Sequence, residues 1–202
     1  MKSIEESVLY RIYGRGRGCV FSSSDFIDEF EANNIDKALS DLTKKGKIRR
    51  VIRGVYDYPK YSDLLKQELS SDPEQVAYAL ARKFKWRIEP SGETALNLLG
   101  LSTQVPGRFL YLSDGPNRSY TVGQTTLEFK KTVLKEIGFK YTQSGLIVSA
   151  LKSLGKERIT VEVISTLKKQ VQPKMHAKIL KDTKTVTGWV YDAIKQICSE
   201  DA

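Results

Sequence analysis

The sequence has few of the residues that build metal sites and disulfide frameworks. Its 202 residues include only two cysteines, Cys19 and Cys198, and a single histidine, His176. A structural zinc site usually needs four such ligands, and a disulfide framework needs an even set of spaced cysteines. The composition therefore predicts neither a metal nor any other cofactor. Sparse, distant cysteines are also typical of a reducing compartment, so we expect a prokaryotic cytoplasm.

Long apolar runs are absent as well. No stretch of 18 apolar residues occurs, which predicts no transmembrane helix and no membrane partner. The first residues, MKSIEESVLYRIYG, contain two glutamates and no apolar core of the kind found in secretory signals. We therefore expect no signal peptide.

Positive charge is in excess, with 33 lysines and arginines against 24 acidic residues and a net charge of +9. A basic chain favours a polyanionic partner, but the distribution of the charge is more informative than its sum. One stretch has six basic residues and no acidic one: Lys44, Lys45, Lys47, Arg49, Arg50 and Arg53. A second basic stretch contains Lys168, Lys169, Lys174, Lys178, Lys181 and Lys184.

The first sixty residues predict three helices followed by two strands. Ser3 and Glu6 fit a capping box that opens the first helix. The serines at 22–24 precede a short second helix with an apolar face at Phe26, Ile27 and Phe30. Asn33 and Asn34 form a turn that caps a third helix, whose buried stripe is Ile35, Ala38, Leu39 and Leu42. Two β-branched segments then flank the turn at 53–54 and predict a hairpin.

This order of elements predicts a winged helix-turn-helix that binds double-stranded DNA. Such a domain places its third helix in the major groove and its basic hairpin, the wing, beside the phosphates. The predicted base-reading residues are Asn34, Lys37, Ser40, Asp41 and Lys44. The predicted contacts to the DNA backbone are Arg15, Arg17, Ser22, Ser23, Lys45, Lys47, Arg49, Arg50 and Arg53.

Two other functions compete for the same segment. Winged helices also serve as protein-binding adaptors, although the uninterrupted basic charge argues against that use here. The RGRG sequence at 15–18 resembles a phosphate-binding loop, but it leads into an extended segment and lacks the lysine and hydroxyl residue of a nucleotide site. We therefore interpret it as a loop between elements.

The rest of the chain predicts a linker and a larger α+β domain. Residues 1–59 form the predicted DNA-binding domain, and residues 60–73 form a linker with a short helix at 63–69. Residues 74–202 form a domain with a small, mostly antiparallel sheet and several helices. The second basic stretch lies in this domain, where it is either a solvated helix face, the interpretation we favour, or an extension of the DNA-binding surface.

We predict that the chain is not an enzyme. The sharpest alternative is a metal-dependent nuclease that uses Asp114 and Glu128 as ligands and Lys130 to hold the attacking water. This spacing arises easily by chance in a chain with 28% charged residues. Asp114 also lies in a DGPN sequence that a turn explains without a metal.

Several segments resemble the AbiEi-type antitoxin family. In the first part they are GRGCVF at 16–21, Asp25 with Phe26, ALSDL at 38–42, KGKIRR at 45–50 and RGVYDYP at 53–59. In the second part they are PSGETALNLLGLSTQVP at 90–106, YLSDG at 111–115, Arg118 and the last helix around Trp189. One departure is Cys19, which stands where a large aromatic residue is expected.

The resemblance implies a function beyond DNA binding. Such proteins are antitoxins of type IV toxin–antitoxin systems, many of them linked to phage defence. The winged helix represses transcription of their own operon by binding inverted repeats in an operator, and the C-terminal domain supplies the antitoxic activity. The toxin is a nucleotidyltransferase-like enzyme, and a stable complex with it is not the expected route of neutralisation.

Overall fold

The computed structural model describes residues 3–104, 107–132 and 138–199. It shows a mixed α+β protein with small antiparallel sheets and several helices, which confirms the α+β part of the predicted fold class. The last two residues of the 90–106 segment, Val105 and Pro106, lie outside the described residues. No helix in the described ranges is both long and apolar enough to span a membrane.

The chain divides into two compact units. The first unit comprises Met1–Trp86 with Tyr120–Leu127, and the second comprises Arg87–Ser119 with Glu128–Ala202. This division differs from the predicted linker at 60–73, because the helix that starts at Pro73 belongs to the first unit. Arg82 of that helix donates to the Asp25 carboxylate (2.9 Å) and to the Val20 carbonyl (2.9 Å).

The first unit contains a three-stranded antiparallel sheet, in the order β1-β3-β2, and a separate small hairpin formed by β4 and β5. Its elements are α1 (Ile4–Arg15), β1 (Val20–Phe21), α2 (Ala32–Lys44), β2 (Arg49–Ile52), β3 (Val55–Asp57), β4 (Tyr61–Ser62), β5 (Gln67–Glu68) and α3 (Pro73–Phe84).

The capping box of α1 and the apolar stripe of α2 are both confirmed. Ser3 accepts from the Glu6 N–H while the Glu6 side chain accepts from the Ser3 N–H. All four stripe residues of α2 are buried, and they pack with α1, Phe21 and Phe26 in one apolar core. Burial of such side chains contributes roughly 1.5–3 kcal/mol each for the larger ones, so α2 is fixed with its polar face outward.

The predicted second helix is wrong. The chain forms a 3₁₀ turn at Ser23–Asp25 and then irregular turns as far as Phe30. The Ser22 N–H donates to the Asp25 carboxylate (2.9 Å), which closes a tight turn in place of a helical one. Phe26 is buried, but Ile27 is half exposed, so no continuous apolar face exists for a helix to bury.

Two further local predictions are corrected. The helix α2 begins at Ala32 with Glu31 at its N-cap, so Asn33 and Asn34 lie inside its first turn and do not cap it. The helix predicted at 63–69 is replaced by the β4–β5 hairpin. Its turn is closed by a bond from the Leu65 N–H to the Ser62 hydroxyl (3.2 Å) and by a left-handed Lys66.

The remaining elements follow the predicted order closely. They are β6 (Ile88–Pro90), α4 (Glu93–Leu98), β7 (Arg108–Ser113), β8 (Arg118–Val122), β9 (Thr125–Lys131), α5 (Thr142–Leu154), α6 (Val161–Gln170), α7 (His176–Asp182) and α8 (Gly188–Ile197). The four strands form one sheet in the order β6-β7-β9-β8, with β6 antiparallel to β7. The apolar core of the second unit is mainly helical and draws on α4, α5, α6, α7 and α8.

A buried carboxyl lies on β6 at Glu89, which is 6% exposed. A Cβ atom at Gly145 of α5 would collide with it, so the carboxyl packs directly against the helix backbone. Burial raises the pKa of Glu89 to about 7, even though a hydrogen bond from the Phe139 N–H acts in the opposite direction.

The Glu89 carboxyl makes the stability of the second unit depend on pH. The folded protein binds this proton more tightly than the unfolded chain, so stability falls as pH rises from the ordinary pKa of 4.5 to about 7. Between about pH 5 and about pH 8 we expect Glu89→Gln to gain up to roughly 3 kcal/mol relative to the parent chain. Urea unfolding at both pH values checks this, with Glu157→Gln at an exposed site as the control. Parallel pH profiles for the parent and Glu89→Gln would contradict the prediction.

Candidate nucleic-acid interface

The outward face of α2 is polar and carries the predicted base-reading residues. Asn34, Lys37 and Lys44 are exposed, whereas Ser40 and Asp41 are partly buried. The Lys44 ammonium lies 3.7 Å from the Asp41 carboxylate, one helical turn away, and partly compensates it. Lys37 has no acidic partner in the described part of the chain and is the clearest unpaired charge on the helix.

The turn between β2 and β3 gathers three cations. Arg53 is exposed in the turn itself, and Arg50 on β2 packs over the Tyr56 ring and donates to its hydroxyl (3.2 Å). Lys83 of α3 donates to the Arg53 carbonyl (3.2 Å). We call Arg50, Arg53 and Lys83 the cation cluster.

The pKa of Lys83 reports the charge around it. Burial lowers this pKa, and the positive charges of Arg53 and Arg50 lower it further, while Asp36 at the start of α2 acts in the opposite direction. Among the described residues, no carboxylate forms an ion pair with any member of the cluster. The cluster is therefore a site of net positive charge at the start of α2, with Asp36 as its acidic neighbour.

Lys83 is the residue that sequence reasoning missed. It lies 30 residues from Arg53, on a helix whose sequence pattern indicates only an apolar face. Gly54 gives it room, because a Cβ at that position would collide with the Lys83 ammonium. No local signal in the sequence pairs the two segments.

Arg49 has a structural role. It contacts the Asp57 carboxylate through two bonds, of 3.2 and 2.7 Å, and donates to the Leu69 carbonyl (2.9 Å). Asp57 is 1% exposed and accepts a further bond from the Ser71 hydroxyl (2.6 Å). This pairing raises the pKa of Arg49. Its guanidinium is thus engaged within the unit, although it was predicted to contact DNA.

Four other predicted backbone contacts lie near the end of α1 and in the turn after β1. Arg15 pairs with Asp25 (3.3 Å), and Arg17 donates to the Pro59 carbonyl (3.0 Å) while stacking over Tyr58. Ser22 is fully buried and hydrogen-bonded to its neighbours, so in this conformation it does not reach a phosphate. Ser23 is partly exposed at the start of the 3₁₀ turn.

The two lysines that follow α2 differ in their pairing. Lys45 contacts Glu5 of α1 at 2.6 Å, and this hydrogen bond raises the pKa of Lys45. Lys47 is exposed and has no acidic partner within the described ranges. Several cations of this unit pair with carboxylates: Arg11, Arg15, Lys44, Lys45, Arg49 and Arg82. Others form no ion pair with any described residue: Lys37, Lys47, Arg50, Arg53 and Lys83.

The residues of the nuclease hypothesis have partners within the protein. Asp114 accepts from the Arg87 N–H (2.8 Å), which ties the start of β6 to the end of β7. Glu128 is shared by Arg108 (3.2 Å) and Lys130 (3.7 Å). No cluster of three or more potential metal ligands occurs among the residues described. The geometry offers no observation in favour of this hypothesis.

The second basic stretch lies along α6 and α7. Lys169, Lys174, Lys178, Lys181 and Lys184 are exposed, and Lys178 packs near the Tyr141 ring. This placement fits a solvated helix face and is equally compatible with an extended DNA-binding surface.

Loss of the Arg49 side chain should destabilise the first unit. Arg49→Ala leaves the buried Asp57 charge without its main partner, and we expect a cost of about 2 kcal/mol, because the arginine is partly exposed. Arg50→Ala, on the next residue of the same strand, should cost less than about 0.5 kcal/mol. Urea unfolding of both variants checks the difference, and equal stabilities would show that the Arg49–Asp57 pair is not structural.

Comparison with known proteins gives a family but no activity. No curated protein matches the chain. The crystal structure of the RV2827C protein from Mycobacterium tuberculosis is similar at 12% identity and a TM-score of 0.38, over 95% of this chain and 74% of that one. The DUF6088 family, described as a family of unknown function, matches residues 7–180. Since that match spans most of the chain, the protein belongs to the DUF6088 family.

Proposed function

We propose that the first unit binds double-stranded DNA as a winged helix, with α2 in the major groove and the β2–β3 turn as the wing. One observation supports the proposal: the first unit holds a group of cations that form no ion pair with any described residue, beside an exposed polar helix face. An ordinary solvated surface interleaves charges of both signs, and paired surface charges contribute little to stability. Unpaired cations are the electrostatic footprint that a polyphosphate partner requires.

The arrangement gives the two parts of the surface different roles. The cation cluster and Lys47 neutralise phosphates. These contacts set the affinity and the register of the protein on the duplex. Asn34, Lys37 and Lys44 on α2 present donors and acceptors that reach base edges, which sets sequence preference. Repression of transcription follows when such a site overlaps a promoter.

The chemistry of this surface also argues against a function as a protein-binding adaptor. The core of a protein interface is apolar and poor in charge. None of the exposed large apolar side chains of the described residues lies between residues 32 and 57, where α2, β2 and β3 are found. The chemistry of this face favours a nucleic acid over a protein partner.

The antitoxin role rests on the resemblance to AbiEi-type proteins and stays a prediction. It adds a nucleotidyltransferase-like toxin as a functional partner and an operator with inverted repeats as the DNA target. A gene for such an enzyme directly beside the gene for this chain would support it. DNA binding does not depend on this role and is tested separately.

The cation cluster should control both affinity and its salt dependence. For a double Arg53→Gln, Lys83→Gln variant, we expect weaker binding to all duplexes. The slope of log affinity against log salt should fall by about 2, at roughly 0.9 per lost phosphate contact. Fluorescence anisotropy with the duplex upstream of the chain's own gene, and with a scrambled duplex, measures both quantities.

A matched control separates this effect from the loss of net charge. Lys156→Gln removes an exposed cation of the second unit and should leave the slope unchanged. Arg49 is not used in this test, because its loss would disturb the sheet itself. If the double variant binds both duplexes as tightly as the parent chain at each salt concentration, the wing assignment is wrong.

A further inference from the structure

The amine of Lys83, the lysine of the cation cluster, is held in a defined place at the surface. Its Nζ atom donates to the Arg53 carbonyl (3.2 Å), in a hydrogen bond that is exposed to solvent. It lies over Gly54, where a Cβ atom would collide with it, and 5.5 Å from the centre of the Phe84 ring. A small molecule in the solvent therefore meets this amine at the turn between β2 and β3.

The surroundings of the amine favour its neutral form. Partial burial lowers the pKa of Lys83, and the positive charges of Arg53 and Arg50 lower it further, whereas Asp36 acts in the opposite direction. A lysine beside other cations loses its proton more readily than an isolated one. The neutral amine is the form that attacks acyl groups, so this environment makes the lysine a better nucleophile.

The two arginines of the cluster also favour one class of acyl donor. Guanidinium groups bind phosphate oxygens through charge-assisted hydrogen bonds. A donor whose leaving group is a phosphate is therefore attracted to this turn, and the charge that develops on the departing phosphate is stabilised there. A neutral acyl donor gains neither advantage.

We propose that Lys83 is a site of acylation by a small acyl phosphate, and that this modification weakens the binding of the first unit to DNA. The second part rests on the proposed function, whereas the first part does not. The Lys83 ammonium first loses a proton to water, and the neutral nitrogen then attacks the acyl carbon. A C–N bond forms, the bond between that carbon and the phosphate oxygen breaks, and the phosphate leaves with the proton that the nitrogen gives up. The product is an uncharged amide, so the cation cluster loses one positive charge.

Acetyl phosphate tests the first part in the absence of DNA. Brief treatment of the full chain, followed by proteolysis and mass spectrometry, gives the initial rate of acetylation at each lysine. We expect the rate at Lys83 to exceed the rates at Lys45 and Lys47 by about threefold or more. Lys45 is the slow reference, because its contact with Glu5 (2.6 Å) raises its pKa. A rate at Lys83 that is equal to or below that at Lys47 would overturn the site.

The variant Arg53→Gln tests the class of donor. It should slow acetylation of Lys83 by acetyl phosphate about threefold or more, and acetylation by the neutral p-nitrophenyl acetate by a smaller factor. Arg53 is an exposed turn residue, and the substitution keeps the backbone carbonyl that holds Lys83. Lys156→Gln, which removes an exposed cation of the second unit, is the matched control and should change neither rate. Equal slowing with both donors would overturn the preference for an acyl phosphate.

Duplex binding tests the second part. The parent chain and Lys83→Arg, which has no amine to acylate at this position, are each compared before and after treatment with acetyl phosphate. We expect treatment to lower the slope of log affinity against log salt by about 0.9 more in the parent chain than in the variant. Equal changes in the two proteins would overturn the effect on DNA binding. If the untreated parent chain binds no duplex, the proposed function fails and the second part fails with it, while the acylation site is decided by the experiment without DNA.

Discussion

The buried Asp57 carboxylate organises the first unit. It lies on the central strand of the three-stranded sheet and is held by Arg49 from β2 and by Ser71 from the segment that leads into α3. A carboxylate that is 1% exposed is tolerated only when it is paired and hydrogen-bonded, so these partners are fixed with it. The same arginine reaches the Leu69 carbonyl, and thereby joins the small hairpin to the sheet.

This constraint fixes the position of the surface cations. With β2 held against β3, Arg50 packs over Tyr56 of β3, Arg53 lies in the turn between the two strands, and α3 brings Lys83 to the same turn. Arg82, the preceding residue of α3, anchors the helix to Asp25 and to the Val20 carbonyl. Adjacent residues therefore have different tasks: Arg49 and Arg82 hold the fold, whereas Arg50, Arg53 and Lys83 remain available to a polyanion.

Local signals predicted most of the helices and strands. The capping box of α1 and the four-residue stripe of α2 depend on neighbours a few positions away, so the sequence contains the whole signal. The second helix failed because Asp25 forms a tight turn with Ser22 and is held by Arg82, 57 residues away. Long-range side-chain pairs of this kind produce no periodic pattern in the sequence, so the sequence does not predict them.

The candidate site was predictable only in outline. Six basic residues between Lys44 and Arg53 marked the region, yet they include both cations that hold the fold and cations that form no ion pair with a described residue, and the sequence does not distinguish them. Arg49 pairs with the buried Asp57 of β3, and Lys45 pairs with Glu5 of α1. Arg53 and Lys47 form no such pair among the described residues. Lys83 lies at the site because its ammonium donates to the Arg53 carbonyl, a tertiary contact that no sequence motif predicts.

The most direct test of the central claim is lysine reactivity measured on the unmodified chain. Amine labelling followed by mass spectrometry, with and without a duplex from upstream of its own gene, reports which ammonium groups the DNA covers. We expect protection of Lys37 and Lys47, which are exposed and form no ion pair with any described residue, and no change at Lys156. Protection confined to the lysines between 168 and 184, or absent altogether, would contradict it.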